Sequence, residues 1–398
     1  MIETNFRHTD IGPIPHDWEV KRTVDLFDIN AAGDLMRDNY SEVKTSCHIY
    51  PIYSNSNIDK GLYGYTSSPR YRKNSFTITG RGNLGIAEYR NTDFDAIIRL
   101  LVLSPKKGAS SLFYSYYTNF AHPYEGSATS IPQLPIPNVA KGLIPVPPVG
   151  EQEAIGKALS DIDELIGGLR KLIEKKRNIK KGAMSRLLSG SLRLPGFNKP
   201  WETNLFGDLG IFIKGKGISR DESNSGSIPA IRYGEIYTDH SDYIKKFRSH
   251  ISQKVAETSQ SLKYGDICFA ASGETLDDIG KAVAFVDDFE AYAGGDIVIF
   301  RPQKEINPIF FGFLLNTPSV VLQKSLKGHG LSIMHIRAAS LAELVINYPT
   351  DLAEQSAIAK VLTDMDAEIE GLEKKLAKYE QVKQGMMKQL LTGKIRLI

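Results

Sequence analysis

The sequence predicts an α+β protein built by internal duplication: two strand-rich mixed α/β domains joined by two long helices that pair as an antiparallel coiled coil with pseudo-twofold symmetry. Three observations carry this expectation. One long segment occurs twice, both copies have a heptad pattern, and the stretches between them have the broken, β-branched texture of sheets.

The repeat is the strongest signal. Glu151 to Leu194 aligns without a gap on Glu354 to Leu397 at a constant offset of 203, with about half the positions identical. Both copies open with Glu-Gln-x-Ala-Ile-x-Lys-x-Leu-x-Asp-x-Asp, from Glu151 and from Glu354. They also close alike, on Gly182-x-Met184 with Leu187-Leu188-x-Gly190 and on Gly385-x-Met387 with Leu390-Leu391-x-Gly393. A unit of about 200 residues has therefore been duplicated, which divides the chain into a domain at 1–148, a helical region at 149–193, a second domain at 194–348 and a second helical region at 349–398.

Each helical copy carries a seam. Ile155, Leu159, Ile162, Ile166, Leu169 and Ile173 in the first, and Ile358, Leu362, Met365, Ile369, Leu372, Leu376 and Tyr379 in the second, recur in steps of four and three. That spacing lets two helices interlock side chains along one stripe, so the two copies are expected to pair with each other. Acids crowd the start of the first copy and bases its end, as the helix dipole favours. Prolines 145, 147, 148 and 349 mark the helix starts, Asp351 is placed to cap with Glu354 three residues on, and Gly190 and Gly393 fit the stops.

In the flanking domains, short runs such as Phe76 to Thr79, Ile97 to Leu103, Asp266 to Phe269 and Ile297 to Phe300 read as strands. The domains echo each other only at their edges: Trp18-Glu19 with Leu26-Phe27 opens one, Trp201-Glu202 with Leu205-Phe206 opens the other, and a proline-rich exit closes both. A shared frame with diverged interiors points to one common partner for the frame and a different target for each interior.

Several function classes lose support. No apolar run reaches the roughly 18–20 residues of a membrane span, and the amino terminus lacks a secretion signal, so a cytoplasmic protein with no membrane partner is expected. Cys47 and Cys268 are far apart and lack metal spacing, so both read as buried free thiols. Gly80-Arg81-Gly82-Asn83-Leu84-Gly85 matches a dinucleotide fingerprint, yet Ile86 to Tyr89 continues as strand where a helix should open, which makes it a glycine-rich β-turn. The Gly280-Lys281 pair has the wrong spacing for a phosphate loop. No metal-binding histidine spacing, nucleophile elbow or Asn/Asp-Pro-Pro-aromatic motif occurs, and the acid pairs Asp277-Asp278 and Asp287-Asp288 read as solvated turns. No catalytic or metal residues are assigned.

Basic residues interleaved with aromatics and glycines are the pattern expected where a protein meets phosphates and base edges. In the first domain they are Arg70, Arg72, Lys73, Arg81 and Asn83; in the second, Lys214, Lys216, Arg220, Arg232, Tyr233, Lys245, Lys246, Arg248 and the stretch from Lys324 through Lys327 to His329. Arg81 and Asn83 stand out as base readers, since arginine suits guanine and asparagine adenine in the major groove.

The helix ends carry a family likeness. Lys180-Lys181-Gly182-Ala183-Met184-Ser185-Arg186-Leu187-Leu188-Ser189-Gly190, its counterpart from Lys383 to Leu397, and the starts at Pro147-Pro148-x-x-Glu151-Gln152 and Pro349 with Glu354-Gln355 resemble the two shared regions of type I restriction-modification specificity subunits. One departure is Ser191-Leu192 in the first copy against Lys394-Ile395 in the second. The resemblance implies two target-recognition domains, each reading one half of a bipartite, gapped site in double-stranded DNA, with the helices as a ruler for the gap. It also implies that the helices seat two modification (methyltransferase) subunits carrying S-adenosylmethionine, that two restriction subunits using ATP and magnesium complete the assembly, and that this chain itself has no cofactor. The competing expectations are a coiled-coil adaptor binding only proteins and a DNA-modifying enzyme with an unrecognised site.

Overall fold

The computed structural model describes residues 5–126, 132–275, 279–330 and 334–398. Contacts divide the chain into two compact units, Met1–Lys171 with Glu373–Ile398, and Leu172–Leu372. Each unit therefore holds one strand-rich domain and half of each long helix. The linear division at 148, 193 and 348 follows the chain, whereas packing cuts both helices near their middles.

In the first unit, β1 (Phe27–Ala31), β2 (Tyr50–Tyr53), β3 (Leu62–Thr66), β4 (Ser75–Ile78), β5 (Ala87–Arg90), β6 (Asp95–Ala96) and β7 (Leu101–Pro105) form two sheets. The larger has the order β1-β7-β4-β5, all pairs antiparallel. The smaller has the order β3-β2-β6, with β2 and β6 parallel. Helix α1 (Ser111–Ala121) starts where the Ser110 hydroxyl accepts from the Phe113 amide, and lays Phe113, Tyr114 and Tyr117 into a core with Phe27, Phe76, Ile78, Leu101 and Leu103. Helix α2 (Val149–Leu187) follows.

The second unit repeats this plan. Strands β8 (Gly210–Lys214), β9 (Ile228–Ile231), β10 (Ser249–Ile251), β11 (Ile267–Ala270), β12 (Ala282–Ala284), β13 (Tyr292–Ala293) and β14 (Ile297–Pro302) give a sheet of order β8-β14-β11-β12, again antiparallel throughout. A smaller sheet pairs β9 with β10 antiparallel and with β13 parallel. Helix α3 (Pro308–Leu315) takes the place of α1, with Phe310, Phe311 and Phe313 in the core, and α4 (Leu352–Leu390) follows. The interiors that diverged in sequence thus keep one order in the larger sheet and the same central pairings in the smaller, to which the second domain adds a fourth strand, Gln260–Ser261, on β13. The edges that echoed in sequence are hydrogen-bonded partners: Glu19–Arg22 pairs with Leu143–Val146, and Glu202–Leu205 with Val345–Tyr348. That closure fastens the start of each domain to its exit.

Helices α2 and α4 have 39 residues each, about 60 Å of helix. Both end sooner than the repeat, at Leu187 and Leu390, where Gly190 and Gly393 take φ of +71° and +68° and turn the chain away. Inside each unit the two helices are joined by ion pairs. Lys383 meets Asp163 and Arg170 meets Glu380 in the first unit, each at 2.6 Å; Lys176 meets Glu368 and Lys180 meets Asp366 in the second, each at 2.6 Å. Numbers rise on one helix as they fall on the other, so the pair is antiparallel. Ile166, Leu169, Ile173 and Ile369 are buried, and Ile162, Met365, Leu372 and Leu376 half-buried. Ile155 and Leu159 belong to the core of the first domain and Ile358 and Leu362 to that of the second, so these four serve domain anchoring rather than the helix seam alone.

Other expectations are corrected locally. The run Ile97 to Leu103 is not one strand: β6 ends at Ala96, the chain turns through Ile98 and Arg99, and β7 begins at Leu101. Cys47 is exposed, while Cys268 is buried in β11, where burial pushes its thiol up. Asp351 accepts from the Ala353 amide at 3.0 Å, but the Glu354 carboxylate serves another partner, so the capping box is not the arrangement there. Asp277-Asp278 lies outside the described residues.

Candidate nucleic-acid interface

Strands β4 and β5 form a hairpin whose turn is the glycine-rich stretch from Gly80 to Gly85. Gly82 and Gly85 adopt φ of +78° and +82°, and the Thr79 hydroxyl donates to the Asn83 carbonyl, which closes the turn and leaves Arg81 and Asn83 exposed. Arg70, Arg72 and Lys73 precede the other end of β4, so the structure does not bring the two groups together. The Arg70 guanidinium is engaged within the domain, donating to Asp95 at 2.6 Å and to the Ala96 carbonyl at 2.9 Å, while the residue stays exposed. Arg72 pairs with Asp93 at 2.9 Å yet stays exposed, and Lys73 is exposed.

In the second domain Lys214 ends β8 and Lys216 follows it, both exposed, as are Arg220, Tyr233, Lys246 and His329, with Arg232 half-buried. Three candidates are already engaged: Lys245 pairs with Glu370, Arg248 with Asp239 at 3.2 Å, and Lys327 with Glu343 at 2.5 Å. Exposed pairs of this kind exchange readily with water or phosphate. Lys324 differs, because it is buried, donates to the Gly280 carbonyl at 2.6 Å, and is pushed down to about 7 by burial. Its place in the basic stretch is therefore structural. Among the described residues Lys73, Arg81, Lys214, Lys216, Arg220, Arg232 and Lys246 form no ion pair, which leaves their charge available to an anionic partner.

Each domain is held to the helices by a matching clasp. In the first unit the buried Glu151, at the start of α2, accepts from the Trp18 indole at 3.0 Å and from Arg396 at 2.6 and 2.7 Å; Arg396 also grips Asp17 at 2.9 and 2.7 Å. In the second, the buried Glu354, at the start of α4, accepts from Arg193 at 2.6 and 2.7 Å and from the Trp201 indole at 3.4 Å. Each arginine lies just past the end of the opposite helix, so each clasp joins one domain's single tryptophan to both helices. Glu151 and Glu354, and Arg193 and Arg396, are identities at the 203 offset; the repeat displayed them, but nothing in the sequence says that they meet.

Residues 15–175 and 198–381 each match the family described as the type I restriction modification DNA specificity domain. The chain belongs to that family. It is 27% identical, over 99% of this chain and 97% of the relative, to a protein of Methanocaldococcus jannaschii named as the type I restriction enzyme MjaX specificity subunit. It is 29% identical, over 66% of this chain and 65% of the relative, to the MjaVIII specificity subunit of the same organism. The S subunit of a type I restriction-modification system from M. genitalium shares the fold, with TM-score 0.64 at 16% identity over 94% of this chain and 96% of that one. A chain from a structure on complex assembly and conformational transition of the type I R-M system has TM-score 0.52 at 15% identity, covering 96% and 99%.

The protein is thus a specificity subunit, the DNA-recognition rather than the catalytic part of such a system. Its duplicated domains and their exposed cations stand in that light. Among the described residues no helix is long and apolar enough to cross a membrane.

Proposed function

We propose that the two domains each read one half of a bipartite, gapped site in double-stranded DNA, that the paired helices set the gap, and that those helices seat two modification subunits. Two restriction subunits complete the assembly in this reading. S-adenosylmethionine then belongs to the modification subunits, ATP and magnesium to the restriction subunits, and the whole works in the cytoplasm. The observation that carries the reading is the repetition of one sheet topology on two antiparallel helices with matching clasps. Two readers on a pseudo-twofold frame meet one duplex at two places, and helix length sets their separation. The modest net charge of +3 suits a chain whose partners share the neutralisation of phosphates. The test is single-molecule methylation mapping of the source genome with and without this gene. Loss of one gapped, bipartite motif on deletion is the expected result; an unaltered methylome of an active system overturns it.

A further inference from the structure

The turn between β6 and β7 is strained in a way its counterpart is not. Ile98 and Arg99 both have φ of +56°, a conformation that excludes most residues with a Cβ and a β-branched one above all. The turn is held by the Ile97 amide donating to Tyr53 O at 2.9 Å, the Ile98 amide to Gly33 O at 3.0 Å, and the Ala32 amide to Leu100 O at 2.9 Å. In the second domain the same three bonds recur between β13 and β14, from Gly294 to Ile231 O at 2.9 Å, from Gly295 to Gly217 O at 2.8 Å and from Gly215 to Ile297 O at 2.8 Å. There the residues matching Ile98 and Arg99 are Gly295 and Asp296, and only Asp296, at +57°, has positive φ. Glycine and aspartate are the residue types that such a backbone suits. The same turn is thus made in the second domain by residue types suited to it, whereas the first domain puts an isoleucine and an arginine there, both at positive φ.

Both side chains point away from the core. Ile97 and Leu100 are 1% exposed, whereas Ile98 is 49% exposed and Arg99 is exposed. The Arg99 carbonyl packs on Gly80, where a Cβ would sit only 2.8 Å from it, so Arg81 follows directly beside the strained turn. Asn55 locks the two turns together, its amide group donating to the Ile98 carbonyl and its oxygen accepting from the Gly80 amide at 2.8 Å. Among the described residues neither Arg81 nor Arg99 has an ion-pair partner. Strained backbone that its surroundings over-determine is a mark of a functional site. Two unpaired guanidinium groups on a rigid platform match the guanine edge, and an exposed isoleucine matches the thymine methyl.

The geometry points to the Ile98-Arg99 turn, with Arg81 beside it and Asn55 as the positioning residue, as a base-reading head of the first domain for double-stranded DNA. This rests on the two-reader function proposed above. The second domain presents different chemistry on the same backbone, with Asp296 in place of Arg99 and Lys216 on the facing segment, whose amide donates to Ala293 O at 3.2 Å. Two diverged readers require such a difference.

The test uses the full chain assembled with its modification subunits, and methylation sequencing across a randomised DNA library. Wild type must first show a gapped motif, and absence of one counts against the two-reader function rather than against this turn. Arg99→Gln is expected to lower discrimination at one base pair by roughly 5- to 150-fold, within the half-site that also changes when residues 1–148 are exchanged. The gap and the other half-site stay unchanged. Ile98→Gly relieves the backbone and is expected to fold with undiminished thermal stability while altering the same half-site. Wild-type discrimination in both variants overturns the proposal. So does uniform weakening on all sequences with a shallower salt dependence, the signature of a phosphate contact alone.

Discussion

Adding one heptad to each long helix, between Lys171 and Leu172 and between Leu372 and Glu373, tests the ruler directly. These points lie between the Arg170–Glu380 pair on one side and the Lys176–Glu368 pair on the other. Seven residues add about 10.5 Å of rise and leave each helix face about 20° from its former direction. Lengthening both helices equally therefore keeps every ion pair in register, whereas lengthening one shifts the pairs on either side apart by about 10.5 Å. At about 3.4 Å per base pair, the added rise corresponds to a gap longer by up to about 3 base pairs. Methylation sequencing of a library with variable spacers reads the result. The doubly lengthened chain should modify sites with the longer gap and unchanged half-sites, and the singly lengthened chain should lose the gapped motif. Retention of the wild-type gap by the doubly lengthened chain would refute the reasoning, because nothing else in the duplicated frame scales with helix length.

Three further outcomes follow from the same structure. Exchanging residues 1–148 for the corresponding domain of another specificity subunit should change one half of the methylated motif and leave the other half intact; changes in both halves count against independent readers. Glu354→Gln keeps an acceptor for the Trp201 indole but removes the charge that Arg193 grips, and should cost about 3 kcal/mol in the second unit's unfolding, the lower end for a broken buried pair because Arg193 is partly exposed; a loss well under about 1 kcal/mol, as at an exposed pair, contradicts it. Lys324 is held down to about 7 by burial, against about 10.4 when unfolded, so between those values the unfolded chain binds the extra proton and stability rises with pH, by at most about 1.4 kcal/mol per unit. Below about 7 both forms are protonated and the charge is carried at a cost, so Lys324→Met should be more stable at pH 7 and lose that rise when melting temperatures are compared at pH 7 and 9; an unchanged slope refutes it.

Local periodicity accounts for what was legible beforehand. Heptads, helix stops at glycine and the 203-residue offset are written in consecutive residues, so the duplication, both long helices and the turn character of Gly80 to Gly85 could be read directly. The basic candidates were legible only as composition. Arg70 and Lys324 look like any surface cation until Asp95 and Gly280, distant in sequence, are seen to hold them.

The sequence by itself determined that the chain is a duplicated frame of paired helices carrying two diverged strand-rich domains, because those features depend on spacing along the chain. Only the tertiary structure decided that the diverged interiors share one order in their larger sheets, that Trp18 and Trp201 close matching clasps with Glu151 and Glu354, and that Ile98-Arg99 is a turn rather than the middle of a strand. Each of these is set by partners far apart in sequence. In the last case, hydrogen bonds from the turn's amides to the Gly33 and Tyr53 carbonyls and from the Asn55 amide to the Ile98 carbonyl hold a β-branched residue in a backbone that its own propensity opposes, which no local rule could anticipate.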